Sequence, residues 1–154
     1  METLTHLKPE TQDALSGLVH ANMDEVAALE EAAMACESKG LMIHVTDLAK
    51  QRIALADELK NALELSGVRE AKEGTVLGNL RTLWSKLEHT VLGGDPAKIV
   101  DEVIAGEQAL ESAYRDALAE TRGSPANALL MNHIRRIRRE EHLLKELKDD
   151  LVDE

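Results

Sequence analysis

Apolar residues recur every three or four positions along four long segments of this chain, and this period restricts the chain to helices. A spacing near 3.6 places such residues on one face of an α-helix, whereas a half-buried strand alternates every two residues. The four stripes comprise Leu15, Leu18, Val19, Asn22, Val26, Leu29 and Ala33; Leu41, Leu48, Leu55, Leu59 and Leu63; Ile99, Val103, Glu107, Leu110, Tyr114 and Leu118; and Leu130, Ile134, Ile137, Leu144, Leu147 and Leu151. Phe is absent, and Trp and Tyr occur once each, which disfavours strands. We therefore expect an all-α protein.

Proline and glycine residues separate the stripes and predict where each helix begins and ends. Proline suits the first turn of a helix, and glycine is common just after the last turn. The predicted boundaries run from Pro9 to Gly40, from Leu41 to Ser66 and Gly67, from Asp95 and Pro96 to Gly123, and from Ser124 and Pro125 onward. The tight turns within the first pair and within the last pair predict two antiparallel hairpins.

A link of about thirty residues joins the two hairpins, which is long for a simple loop. Thr75 can cap a short helix there that carries Leu77, Leu80, Leu83, Trp84, Leu87 and Val91. Its ~17 residues span roughly 25 Å, enough to carry the chain back along the bundle. We expect the second hairpin to begin at the same end as the first. The prediction is one domain over residues 1–154, a ferritin-like four-helix bundle with a long crossover connection containing a short fifth helix.

Polar residues interrupt the stripes near the middle of every long helix. Projected at 100° per residue, Arg52 and Glu107 lie near the centres of their stripes. The antiparallel turns predict that Tyr114 lies opposite His133. The predicted buried polar layer comprises Asn22, Glu30, Arg52, Glu107, Tyr114, His133, Glu140 and Glu141. Buried charge is costly unless it is paired or binds something, so this layer is the candidate functional site.

Two interpretations of the layer stay open. In the first, Arg52 holds Glu107 and one further glutamate of the layer in a buried ion-pair network. In the second, carboxylates from facing helices hold a metal, and the candidate ligands are Glu30, Glu58, Glu107 and Glu141. Di-iron bundles also use two Glu-x-x-His pairs, but here Asn61 follows Glu58 and Arg139 precedes His142 at that spacing. Arg52 would add a fixed positive charge beside the metal.

Charge and cysteine content restrict the partners and the compartment. A net charge of −11 works against nucleic acid and anionic membranes. The basic cluster Arg135, Arg136, Arg138 and Arg139 is expected to be solvated and to pair with nearby glutamates or with an acidic partner subunit. The single cysteine, Cys36, is expected to be a small core residue, and it cannot form an internal disulfide. With no signal-peptide pattern or apolar membrane span in the sequence, we expect a cytoplasmic protein.

Three stretches of the sequence resemble one family. Residues 74–120 match it through Trp84, the Gly94-Asp95 pair, Gly106-Glu107 and the run Ala113, Tyr114, Arg115. Residues 15–33 and 49–59 match it through Asn22, Asp24, Glu30, Arg52 and Glu58. The chain thereby resembles an uncharacterised bacterial ferritin-like family of unknown function. The resemblance implies a ferritin-like bundle, no established activity, and distant kinship with rubrerythrins and bacterioferritins. The chain departs from the family's pattern at Glu141, where a His is usual, and at Leu29, where an aromatic residue is usual.

Together these features predict a non-catalytic structural or interaction module without a cofactor, forming a homo-oligomer through an exposed helix face. The alternative is a metal-binding, ferritin-like oxidoreductase or iron-handling protein that uses iron or another divalent metal.

Overall fold

Four long helices make up nearly all of the structure, a computed structural model that describes residues 2–69 and 95–152. They are α1 (Pro9–Ala35), α2 (Lys39–Leu65), α3 (Pro96–Glu120) and α4 (Asn127–Val152). The only bridge of β type in the described ranges is an isolated pair, Thr3 and His6. The predicted all-α class is therefore confirmed. None of the four helices is long and apolar enough to cross a membrane.

Local chemistry explains most helix boundaries. Pro96 opens α3, and the side chain of Asp95 accepts a hydrogen bond from the amide of Ala97 at 3.1 Å. The turn after α2 uses Gly67 with φ of 83°, a conformation that glycine adopts without steric cost. Gly123 has φ of 78° in the turn before α4. These boundaries agree with the predicted ones.

The predicted boundary at Gly40 is wrong. Helix α1 already ends at Ala35, and Gly40 lies inside the first turn of α2. The physical reason is the side chain of Ser38, which accepts a hydrogen bond from the amide of Leu41 at 3.3 Å and so caps α2 two residues earlier.

Two apolar clusters show how the helices run. The lower cluster joins the start of α1, the end of α2, the end of α3 and the start of α4 through residues such as Leu15, Leu59, Leu110 and Leu130. The upper cluster joins the opposite ends of the same helices through residues such as Leu29, Leu48, Val103 and Leu144. The helices therefore run up, down, down and up. Each fully buried leucine contributes about 1.5–3 kcal/mol to the stability of these clusters.

This order makes the link between α2 and α3 a crossover. Helix α2 ends at the lower end of the bundle, whereas α3 begins at the upper end. The second hairpin thus begins at the end opposite to the start of α1. The expectation of a common starting end is wrong, because a crossover takes the chain to the other end before α3 begins. The predicted helix over residues 75–91, with Trp84, lies outside the described residues.

Candidate functional site

A layer of buried polar side chains lies near the middle of every helix; its centre is between the two apolar clusters, and Tyr114 and His133 extend it into the lower cluster. Each helix contributes to it at the point where its residues change from one cluster to the other. The buried members are Asn22 and Glu25 on α1, Arg52 on α2, Glu107 and Tyr114 on α3, and His133 and Glu141 on α4. This polar layer divides the core in two.

The centre of the layer is an ion pair between Arg52 and Glu107. Nε of Arg52 donates to Oε1 of Glu107 at 2.9 Å, and the two side chains are 1% and 0% exposed. Arg52 occupies its place because α2 buries Leu48 and Leu55 on either side of it. Burial raises the pKa of Glu107 to about 7; Arg52 opposes this rise, and the negative charge of Glu141 adds to it. Oε2 of Glu107 and Nη2 of Arg52 have no hydrogen-bond partner within the described ranges.

Glu25 is the member of this layer that the sequence analysis missed. It is fully buried beside Glu107 and Arg52, and neither carboxyl oxygen has a hydrogen-bond partner in the described part of the chain. Burial raises its pKa well above the usual range; the nearby charge of Glu107 raises it further, and Arg52 only partly opposes this. Its surroundings therefore favour the protonated form of Glu25. A signal existed in the sequence, because Leu18, Asn22, Glu25 and Leu29 recur at spacings of four, three and four.

A second set of buried contacts begins at Asn22, one helical turn before Glu25 on α1. Nδ2 of Asn22 donates to the carbonyl of Leu18 and to the hydroxyl of Tyr114, both at 2.9 Å. The Tyr114 hydroxyl lies 2.7 Å from Nδ1 of His133, and the two rings meet edge to face with centroids 5.5 Å apart. Because the hydroxyl oxygen of Tyr114 accepts a hydrogen bond from Asn22, its O–H group is available to donate a hydrogen bond to His133. This arrangement favours the neutral tautomer of His133 in which Nδ1 accepts and Nε2 carries the proton.

Burial supports the same protonation states. It lowers the pKa of His133 to about 4, despite the nearby carboxylate of Glu58. It also raises the pKa of Tyr114, so the phenol keeps its proton. A neutral histidine and a neutral tyrosine fit this buried site, where the carboxylate of Glu58 only partly offsets the cost of burying a charge on His133.

The chain of contacts reaches the surface through Glu58 and Arg136. Nη1 of Arg136 donates to both carboxylate oxygens of Glu58, at 3.1 and 2.9 Å. Nε2 of His133 lies 3.6 Å from Oε1 of Glu58, which is longer than a hydrogen bond. Glu58 is 38% exposed, so it forms the boundary between the buried layer and solvent.

Two predicted members of the layer lie elsewhere. Glu30 is exposed on the outer side of α1, and Glu140 is only half-buried. A helix of 27 residues has two flanks beside its buried stripe, and the structure buries the flank of Glu25 rather than that of Glu30. The prediction that Glu30 belongs to the buried polar layer is therefore wrong.

The four predicted metal ligands do not come together. Glu30 is exposed, Glu58 binds Arg136, and Glu107 is paired with Arg52. In residues 2–69 and 95–152, no group of three or more His, Cys, Asp or Glu side chains is placed to hold a metal ion. The predicted quartet with Glu141 is thus not formed. These residues suit a protonated carboxyl group and the guanidinium of Arg52 better than a pair of metal ions, because Arg52 already provides the positive charge.

Glu141 lines a cleft on the outside of the bundle. The cleft measures about 590 Å³ and lies between α3 and α4, lined by Gln108, Glu111, Arg115, Arg138, Glu141, His142 and Lys145. Glu141 is 8% exposed, and its burial, with the charge of Glu111, raises its pKa. Nε of Arg138 donates to Glu111 at 2.5 Å. Together with the Arg136–Glu58 contact, this confirms the predicted pairing with glutamates for two members of the basic cluster, Arg136 and Arg138.

Cys36 follows the last turn of α1. Its thiol donates to the carbonyl of Ala32 at 3.2 Å, and the residue packs against the upper apolar cluster. Partial burial raises the pKa of the thiol, which makes it a poor nucleophile.

A comparison with known protein families completes the description of the site. No curated protein and no solved structure matches the chain. Residues 10–120 match the family described as Domain of unknown function (DUF2383). The match includes α1, α2 and α3 almost in full, and with them Asn22, Glu25, Arg52, Glu107 and Tyr114. Since it covers well over half of the sequence, the chain belongs to the DUF2383 family.

Proposed function

We propose that this chain is a single ferritin-like domain that acts as a non-catalytic structural or interaction module and self-associates in the cytoplasm. In this proposal, the ion pair between Arg52 and Glu107 takes the position that a pair of metal ions occupies in ferritin-like proteins. The observation that carries the proposal is the buried guanidinium of Arg52, 2.9 Å from the carboxylate at the centre of the bundle.

Electrostatics gives the reason. At about 4 Å and an effective dielectric constant near 20, each unit of like charge costs roughly 4 kcal/mol. A divalent ion beside Arg52 would therefore meet about twice that repulsion, and the guanidinium cannot lose its proton to relieve it. Two metal ions would need carboxylates from several helices, and here Glu107 is already paired.

The topology supports the ferritin-like assignment. Two antiparallel hairpins joined by one long crossover are the arrangement of ferritin-like bundles, and the up, down, down, up order requires such a crossover here. The family match supports the chain's kinship but gives no activity.

Surface composition supports the interaction module. Several large apolar side chains are exposed on the described helices, among them Met34 at 86% and Ile43 at 53%. Clustered exposed apolar side chains are typical of protein–protein contacts. A net charge of −11 disfavours nucleic acid as the partner. The unbridged thiol of Cys36 suits a reducing compartment such as the cytoplasm.

The test is metal content together with ferrous oxidation. Protein purified after growth with added iron should contain well under one iron per chain by elemental analysis. Ferrous iron in air should be oxidised no faster than in buffer alone. Glu107→Ala serves as the comparison variant. Two irons per chain that disappear in Glu107→Ala would overturn the proposal.

One observation favours the alternative, a metal-binding ferritin-like oxidoreductase or iron-handling protein. Within the polar layer, four buried carboxyl oxygens have no hydrogen-bond partner in the described part of the chain: both of Glu25, Oε2 of Glu107 and Oε1 of Glu141. Oxygens of this kind are ligands for hard divalent cations. A single divalent ion bound without oxidation chemistry would place this protein between the two functions, with a carboxylate site kept for structure.

A further inference from the structure

The outer face of the first hairpin contains a groove. It measures about 490 Å³ and lies between the upper halves of α1 and α2. Ala33 and Met34 line it on α1, and Met42 and Ile53 line it on α2. We call this feature, with Glu30 and Lys50 at its rim, the α1–α2 groove.

Three large apolar side chains that line the groove are exposed. Met34 is 86% exposed, Met42 38% and Ile53 37%. Met23, 39% exposed, continues the α1 side of the groove two turns earlier, since it lies seven residues before Glu30. Methionine side chains are flexible and adapt to a partner's surface. The face therefore offers several exposed apolar side chains that can adapt to a partner.

The charges at the rim indicate what kind of partner fits. The groove is lined by one acid, Glu30, and one base, Lys50. It is therefore locally neutral, although the whole chain has a net charge of −11. A basic partner would gain more on the acidic remainder of the surface. A second copy of the chain, equally acidic, meets the least repulsion at such a neutral face.

We propose that the α1–α2 groove is the contact between two copies of this chain in a two-fold dimer, with Glu30 of each copy against Lys50 of the other. This inference rests on the proposed function, whose interaction face it names. In a two-fold contact the same patch meets itself, so an acid and a base on that patch are brought together twice. A stable interface needs about 800 Å² from each partner, so the contact must extend beyond the groove to Met23 and its neighbours.

Charge reversal tests the proposal. Sedimentation velocity over a range of protein concentrations gives the dimer dissociation constant for the unaltered chain and for Glu30→Lys, Lys50→Glu and the double variant. Each single reversal places like charges together twice, and we expect dimerisation to weaken about tenfold or more. The double variant restores both pairs and should return to within about threefold of the original constant. Failure of the double variant to recover would overturn the pairing.

A second pair of variants tests the apolar part. Met34→Glu with Ile53→Glu should abolish the dimer, because charged side chains would be buried at the contact. Met131→Glu with Leu143→Glu is the matched control, since these side chains are 43% and 40% exposed on α4. If the control pair dissociates the dimer and the groove pair does not, self-association stands but the groove is wrong. A monomer at all concentrations would overturn both this inference and the self-association in the proposed function. A monomer in which Met34 resists radical labelling would show that another part of the same chain covers the groove.

Discussion

Arg52 on α2 and Glu107 on α3 belong to helices that are not principal packing partners, yet their buried side chains meet at 2.9 Å. The extensive contacts in the described structure are between α1 and α2, α3 and α4, and α1 and α3. Arg52 therefore reaches across the core from one hairpin to the other. Arginine is suited to this because its side chain is long and its guanidinium has donors on several sides. The ion pair joins the two halves of the bundle through their centre.

We predict that Arg52 and Glu107 are energetically coupled. Arg52→Met or Glu107→Leu alone should lower the free energy of unfolding by about 3–5 kcal/mol, because the remaining charge is buried alone. The double variant should lose much less than the sum of the single effects, as measured in urea titrations. The exposed pair of Arg138 and Glu111 is the control, and its cycle should give a coupling below about 1 kcal/mol. Simple additivity at Arg52 and Glu107 would contradict the ion pair.

We predict that Glu25 makes the protein less stable as the pH rises. Its pKa is raised in the folded state, so its contribution to stability is complete below the unfolded pKa near 4.5 and is lost as the pH increases toward the folded value. Glu107, with a folded pKa of about 7, acts in the same direction. Glu25→Gln mimics the protonated acid and should remove up to about 1.4 kcal/mol of slope per pH unit.

The measurement is the free energy of unfolding by urea at several pH values between about 5 and 8. Glu30→Gln is the matched control on the same helix, because Glu30 is exposed. The control should keep the original slope. An unchanged slope in Glu25→Gln would show that Glu25 is ionised in the folded protein.

We predict that His133 is neutral with its proton on Nε2. Two-bond ¹⁵N–¹H spectra distinguish the two ring nitrogens, and loss of the signals in His133→Gln assigns them. The ring should stay neutral as the pH falls below 6, because its folded pKa is about 4. The contribution of His133 to stability is complete above the unfolded pKa near 6.5 and is lost as the pH falls toward 4.

The same arrangement predicts the effect of removing the Tyr114 hydroxyl. Tyr114→Phe should lower the free energy of unfolding by about 1–3 kcal/mol, since it leaves Asn22 and His133 without this partner. A proton on Nδ1 would contradict the arrangement.

We predict opposite effects of the same substitution at two glycines. Gly67 has φ of 83°, so Gly67→Ala should cost about 1 kcal/mol from backbone strain, although its Cβ would meet no atom within 4 Å. Gly40 lies in α2, and its added Cβ would only touch Oγ of Ser38 at 3.9 Å. Gly40→Ala should therefore stabilise the protein by up to about 1 kcal/mol. Thermal unfolding of the two variants compares them directly, and a loss of stability in Gly40→Ala would contradict the assigned start of α2.

The helices could be predicted from the sequence because their signals are local. Asp95 and Pro96 start a helix through contacts within one turn, and Gly67 ends one through its own backbone. Gly40 misled the prediction because a glycine also fits a first helical turn when a neighbour such as Ser38 provides the cap. Such competition between two local signals is decided by hydrogen bonds that the sequence does not display.

The polar layer was predictable only in part. Arg52, Glu107 and Tyr114 lie on the centres of their stripes, so any neighbouring helix buries them. Glu25 and Glu30 lie about 60° and 80° to either side of Asn22 at 100° per residue. Which of these flanks is buried depends on where α3 packs against α1, and one helix alone carries no such information. The same ambiguity made the predicted metal ligands look closer together than they are.

Our last prediction concerns the charge of Arg52, which in the proposed function keeps metal ions out. Arg52→Gln removes the positive charge but keeps a polar, though shorter, side chain, and it leaves the carboxyl groups of Glu25 and Glu107 without a neighbouring positive charge. Removing one unit of like charge at about 4 Å is worth roughly 4 kcal/mol at an effective dielectric near 20. Even a fraction of that energy should tighten Mn²⁺ binding at least about tenfold relative to the unaltered chain.

Isothermal titration with Mn²⁺ measures the affinity, and metal-induced stabilisation against urea gives a second readout in the same variants. Arg52→Gln combined with Glu25→Gln is the control, and it should lose the gain because one of the two carboxyl groups that would bind the ion is gone. Equal and tight Mn²⁺ binding by the unaltered chain and by Arg52→Gln would mean that the guanidinium does not exclude cations, and the metal-binding alternative would then replace the proposed function.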